Sequence, residues 1–220
     1  YRAVENQLYS VERMCSAAQI AGVMAYPKSE LEEVQRDMLM CQFHDILAGT
    51  SILPGEQGAL RTLDHGLEIL SKLRARAFFA LAASQRKAQP DEIPILIYNP
   101  HPFEIEGDFE CEMMLWGGSF DEVFSMPQVY RDGEALPTQP EKEQSNLSID
   151  WRKRVVFHTT LAPMQLNRFD CKYTRLERKP AITSQEDNSY IYLEGGNTQL
   201  RIDKNTGYID SWLSEGRQYL

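Results

Sequence analysis

The residues of this chain best suited to chemistry lie in one short run, Cys41-Gln42-Phe43-His44-Asp45-Ile46-Leu47-Ala48-Gly49-Thr50. Imidazole is the commonest protein ligand for metals, and a carboxylate beside it can accept hydrogen bonds from a bound molecule. A His-Asp pair alone is unspecific. It fits a histidine at the edge of a core with an aspartate hydrogen-bonded nearby, and it also fits a metal ligand and its neighbour. A catalytic zinc takes about three protein ligands and keeps a position open, so one histidine supplies only part of such a site. His65, His101 and His158 stand at no ligand spacing from His44. Asp37, Asp64 and Glu68 fall on helical segments and read as solvated or capping charges, so no residue of this chain is assigned as nucleophile or general acid.

Three other groupings carry weaker signals. Trp116-Gly117-Gly118 with Phe120 and Phe124 reads as a sugar-stacking platform or as a loop tucked against a sheet. Arg152-Lys153-Arg154 reads as an exposed strand edge, where charge discourages mispairing. Asn146-Leu147-Ser148 fits the N-glycosylation acceptor pattern, which is short and arises by chance. Cys15, Cys41, Cys111 and Cys171 form no C-x-x-C pair, and their separation reads as buried free thiols in a reducing compartment.

The elements that must position His44 and Asp45 are helical. Val4, Leu8, Val11, Cys15 and Ala18 set a helical stripe over residues 2–23, broken by Tyr26-Pro27. Ser29 precedes Glu30-Leu31-Glu32, a capping-box pattern, and Leu31, Val34, Met38 and Cys41 carry a second helix to about Leu47. This places His44 near the face of Met40 and Cys41, pointing partly inward. Leu60, Leu63, Leu67, Leu70, Ala77 and Leu81 mark a third helix after Pro54-Gly55. Three antiparallel helices with short connections predict a bundle over residues 1–88. Past Gln89-Pro90-Asp91-Glu92 the apolar period drops to two, with turn residues at Asp132-Gly133 and Asn205-Thr206-Gly207. Residues 93–220 are therefore expected to form an antiparallel β region, and the whole an α+β chain of two domains.

Composition narrows the function class. The 220 residues are 42% apolar and 25% charged, which is ordinary for a globular protein. The net charge of −9 and the lack of a long Lys/Arg run argue against nucleic acid as a partner. No apolar run reaches the roughly 18 residues of a membrane span, so no membrane partner is expected. The chain opens inside a helical pattern without an initiator methionine, and reads as part of something longer.

The run from Cys41 to Ile52 resembles glycoside hydrolase family 38 α-mannosidases, in which a His-Asp pair is followed by a Gly-Thr/Ser turn. Tyr98-Asn99-Pro100, Arg131-Asp132-Gly133 with Leu136-Pro137-Thr138-Gln139, and Leu200-Arg201-Ile202-Asp203 with Gly207-Tyr208-Ile209 resemble, in the same order, segments that open that family's β-domains. The resemblance implies that His44 ligates a catalytic zinc ion, that Asp45 contacts mannose hydroxyls, and that the β region begins a mutarotase-like sandwich. It implies a retaining α-mannosidase whose nucleophile and remaining zinc ligands lie in an N-terminal barrel absent here. The partners are then an α-mannoside and that barrel of the same parent, with a homo-oligomer left open. Ala48 replaces a proline frequent in bacterial members. Phe43 stands where many lysosomal and Golgi members carry a second histidine, which points to a bacterial, cytoplasmic protein. The isolated fragment is expected to be inactive. The competing reading is a non-catalytic carbohydrate-binding or domain-packing module.

Overall fold

The computed structural model describes residues 1–121, 123–142, 149–178, 184–195 and 197–220. The candidate glycosylation triplet at Asn146 lies outside the described residues. The fold is α+β, with helices first and antiparallel sheets after them. By contacts the chain divides into Tyr1–Leu176 and Glu177–Leu220.

Helix α1 (Arg2–Ile20) buries the predicted stripe of Val4, Leu8, Val11, Cys15 and Ala18, together with Met14. Helix α2 (Lys28–Met40) faces it with Leu31 and Val34. The capping box does not form. Pro27 starts the helix, Ser29 falls inside its first turn, and no side chain caps the end. Proline suits a helix start because it has no N–H to leave unpaired there.

Helix α2 also stops earlier than predicted. Cys41 turns into the core, its thiol 3.5 Å from the Ala59 carbonyl. Phe43 then adopts an extended backbone, and a one-turn helix α3 (His44–Leu47) begins. The reason lies in the stripe itself. Continued past Cys41, helical spacing would put Asp45 on the buried face, where an unpaired carboxylate is costly. Breaking the helix keeps Asp45 outside. The bundle therefore has four helices, one of them a single turn.

Helix α4 (Leu53–Ala83) carries Pro54 in its first turn and lies along both α1 and α2. Its buried positions are Ala59, Leu63, Gly66, Leu70, Leu73, Ala77 and Leu81, whereas Leu60 of the predicted stripe is exposed. At Gly66 a Cβ would meet Val34 at 3.6 Å and Val4 at 3.8 Å, so this is where the three helices crowd.

Asp37 of α2 and His65 of α4 join the same pair of helices, with His65 Nδ1 2.7 Å from Asp37 Oδ2. Glu33 lies 3.8 Å from His65 Nε2. The Asp37 hydrogen bond raises the His65 pKa above the ordinary imidazole value. A group raised on folding stabilises fully below its unfolded pKa, and that gain is lost as pH rises through the folded value. The Tm gap between this protein and its His65→Gln variant should thus be wider at about pH 5.5 than at about pH 8.5. A gap that ignores pH would mean the ring contributes by packing alone.

Beyond the bundle lie two facing sheets. One contains β1 (Ile93–Asn99), β3 (Phe124–Arg131), β4 (Glu134–Ala135) and β7 (Gln165–Leu176) in the order β1-β7-β3-β4. The other contains β2 (Ile105–Ser119), β5 (Thr138–Glu141) and β6 (Asp150–Leu161) in the order β2-β6-β5. Ile95, Val129, Val155, Phe157, Leu161, Phe169 and Cys171 fill the space between them. Tyr98 and Leu166 reach instead to the helical core. A cluster of ions fastens the linker to β7. Arg86 pairs with Glu92 at 2.7 Å and with Asp170 at 2.5 Å. The Arg86 guanidinium, with the Gln89 N–H, holds Glu92 down at about 2.

The Arg152–Arg154 run lies in β6 and pairs with β2 throughout, while among the described residues β5 pairs with it only at Arg154. Alternation sends Arg152 and Arg154 to one face, against Glu112 and Glu110 of β2. Lys153 points the other way and is buried. The Trp116–Gly118 segment is no loop, because β2 runs on through Ser119. At Gly118 a Cβ would sit 2.6 Å from Ile149 Cδ1, so a larger residue there would require the Ile149 side chain to shift. Phe120 is exposed, while the Phe124 ring lies 3.6 Å under the Lys153 ammonium.

The second unit is a five-stranded antiparallel sheet of β8 (Gln185–Glu186), β9 (Tyr190–Gly195), β10 (Thr198–Asp203), β11 (Ile209–Ser214) and β12 (Arg217–Gln218). Among its described residues none is buried.

Candidate functional site

The site is built on the break between α2 and α4. Gln42 donates to the Tyr1 hydroxyl, which ties the break to the start of α1. Phe43 closes the following turn, its carbonyl accepting from the N–H groups of Ile46 at 2.9 Å and Leu47 at 3.0 Å. The Phe43 ring lies against the His44 imidazole, with centroids 4.3 Å apart at 47°.

No residue of α3 is buried. The His44 side chain is 79% exposed and that of Asp45 is 54% exposed. This corrects the inward-pointing orientation predicted for His44. With the helix restarted after Phe43, residue 44 no longer follows the Cys41 stripe. His44 Nε2 and Asp45 Oδ2 lie 3.5 Å apart, so the imidazole and the carboxylate face one another at the surface.

The segment after α3 folds back onto Asp45. Gly49, at φ +75°, takes the left-handed turn that brings Thr50 and Ser51 round. The Thr50 N–H donates to the Asp45 carbonyl at 3.1 Å, and the Ser51 hydroxyl donates to it at 2.7 Å. The Thr50 hydroxyl lies 3.3 Å from both the Asp45 carbonyl and Asp45 Oδ1. The Gly-Thr/Ser turn is legible in the sequence, whereas this grip on Asp45 is not. The signal for it was two hydroxyl residues just past the glycine, since such residues habitually bond nearby backbone.

The chemistry available is that of one exposed imidazole beside one exposed carboxylate. Among the described residues no three His, Cys, Asp or Glu side chains come together to hold a metal ion. His44 and Asp45 still suit a zinc ion in part. An exposed imidazole can give one ligand, and a cation held there would lie beside the Asp45 carboxylate. Both groups open outward, so the remaining ligands would have to come from outside the described residues. His65, His101 and His158 stay elsewhere. His65 is engaged with Asp37, His101 stacks on Phe103 at 5.1 Å, and His158 lies between Asp108 and Glu106. The four cysteines are free, and burial pushes Cys15, Cys111 and Cys171 up to about 11, which keeps them as thiols.

The surface around the site is apolar. Leu39, Met40, Phe43, Leu47, Ile52 and Leu53 are each more than half exposed. Exposed apolar side chains gathered in one stretch of chain mark a surface suited to packing. No helix of the described residues is long and apolar enough to cross a membrane.

Residues 1–81 match the family model described as the alpha mannosidase middle domain. No curated protein matches the chain. The chain is similar in fold to a crystal structure of a protein in glycosyl hydrolase family 38 from Enterococcus faecalis. The TM-score is 0.65 at 16% identity, over 94% of this chain and 29% of that one. An alpha-mannosidase from Enterococcus faecalis V583 gives a TM-score of 0.60 at 14% identity, over 94% of this chain and 27% of that one. The chain thus spans less than a third of the length of either structure.

Proposed function

We propose, from the premise that residues 1–81 are an alpha mannosidase middle domain, that this chain is the central part of a longer, retaining, zinc-dependent α-mannosidase acting on terminal α-D-mannosides. The observation that carries the reading is the His44-Asp45 pair, displayed at the surface of that domain with apolar side chains around it. Residues 1–88 serve as the middle domain, and residues 93–220 begin the C-terminal β-domains with a mutarotase-like sandwich. The nucleophile and general acid belong to an N-terminal barrel of the parent, which the apolar surface at the α2–α4 break packs against. The protein is cytoplasmic and bacterial in this reading.

His44 contributes one ligand to the zinc, and Asp45 accepts hydrogen bonds from sugar hydroxyls. Bound zinc would supply a cationic anchor that orients the sugar ring and favours its distortion toward the oxocarbenium-like transition state. The chain's own task is to hold an imidazole and a carboxylate side by side, facing outward, on a helix turn fixed by the bundle. It supplies no acid or base to the reaction, and the isolated fragment is inactive.

The test is hydrolysis of an aryl α-mannoside by the full-length parent, before and after chelation. Activity should disappear on chelation and return with zinc. A full-length protein that hydrolyses no α-mannoside, or is indifferent to chelation, would overturn the reading. The apolar surface also suits a pure packing module, which predicts a folded parent with neither activity nor zinc.

A further inference from the structure

We infer that Thr50 is a positioning residue for Asp45, setting the carboxylate in its sugar-binding orientation before any sugar arrives. The inference rests on the reading of Asp45 as a contact to sugar hydroxyls. Asp45 sits on a one-turn helix with no buried residue, and its side chain is more than half exposed. A carboxylate in that setting has free rotamers, and fixing it on binding would cost affinity. The structure supplies the restraint in advance.

A carbonyl oxygen has two lone pairs. Two donors already occupy the Asp45 carbonyl, the Thr50 N–H at 3.1 Å and the Ser51 hydroxyl at 2.7 Å. The Thr50 hydroxyl proton is then available to Asp45 Oδ1 at 3.3 Å. The other carboxylate oxygen, Oδ2, lies toward His44 Nε2 at 3.5 Å. The turn therefore holds the carboxylate at Oδ1, with Oδ2 on the imidazole side. Gly49 makes this geometry attainable, because its left-handed backbone returns the chain to the end of α3. Thr50 acts through Asp45 and needs no contact with the sugar itself.

The experiment uses the full-length parent and the variants Thr50→Val, Thr50→Ala and Thr50→Ser, with mannose as the probe. Valine keeps the shape of threonine and removes only the hydroxyl. Thr50→Val and Thr50→Ala are expected to keep the zinc content and Tm of the parent. Both should weaken mannose binding, measured by calorimetry, and raise KM for the aryl mannoside by about tenfold, the scale of one hydrogen bond to a charged group. Their kcat should stay within about twofold of the parent, since the bond is made in ground and transition states alike. Thr50→Ser should restore both values. Unchanged mannose affinity in Thr50→Val and Thr50→Ala, failure of serine to restore it, or loss of zinc would each overturn the inference. The wider reading fails separately, and does so if His44→Ala keeps both zinc and rate. If His44→Ala loses both while Thr50→Val binds mannose normally, only the role given to Thr50 falls.

Discussion

Replacing His44 by alanine in the full-length parent is expected to remove its zinc and to lower kcat/KM for an aryl α-mannoside by about a thousandfold or more, the scale of losing metal-assisted charge stabilisation. The size of the effect follows from how few ligands a catalytic zinc has. Removing one of about three leaves a weak, easily emptied site. The same replacement should leave the fold intact. His44 is 79% exposed on a helix turn that buries nothing, and exposed substitutions usually shift stability by no more than about 0.5 kcal/mol. The two readouts together are decisive. Loss of zinc and rate with an unchanged Tm supports a ligand. Equal zinc and rate in the variant would return His44 to an ordinary surface histidine.

The largest stability loss is expected at Lys153. Its side chain is 6% exposed, and its ammonium pairs with Asp150, itself 10% exposed. The Phe124 ring covers the ammonium at 3.6 Å. Burial pushes the Asp150 carboxyl up, but the hydrogen bonds from Lys153 and Ser125 outweigh it, and the net shift is downward. Lys153→Met keeps the length and apolar stem of the side chain but leaves Asp150 buried without its cation. Breaking such a pair costs about 3–5 kcal/mol, which should show in the denaturation midpoint. The double variant Lys153→Met with Asp150→Asn should recover much of that loss, because no charge is then stranded. A single variant as stable as the parent would show that water reaches Asp150 and that the pair is effectively exposed.

Both predictions concern residues whose type could be read from the sequence and whose setting could not. Periodicity exposed the helical stripes of α1 and α4 and the change to strands near residue 90, because those patterns are local. The Asp132-Gly133 turn was legible for the same reason, since both residues have positive φ there. The end of α2 was not legible. Whether the chain continues helical past Cys41 depends on where that side chain finds its partner, and the partner is Ala59, 18 positions away. The orientation of His44 depends on that break. The setting of Arg152–Arg154 was not legible for a related reason. Strand alternation was visible, but only the tertiary packing turns Lys153 inward and sets Arg152 and Arg154 against Glu112 and Glu110.

The sequence by itself determined that the chain is helical and then β-stranded, and that its most distinctive chemistry is the His44-Asp45 pair. It did so because composition, period and a contiguous motif are properties of neighbouring residues. Only the tertiary structure decided that this pair stands outward on a separate helix turn, with Asp45 held by Thr50 and Ser51 and with apolar side chains around it. The outward turn depends on contacts between distant segments and on the cost of burying a carboxylate, neither of which a local pattern contains, while the grip on Asp45 is local but shows only once the turn at Gly49 is placed.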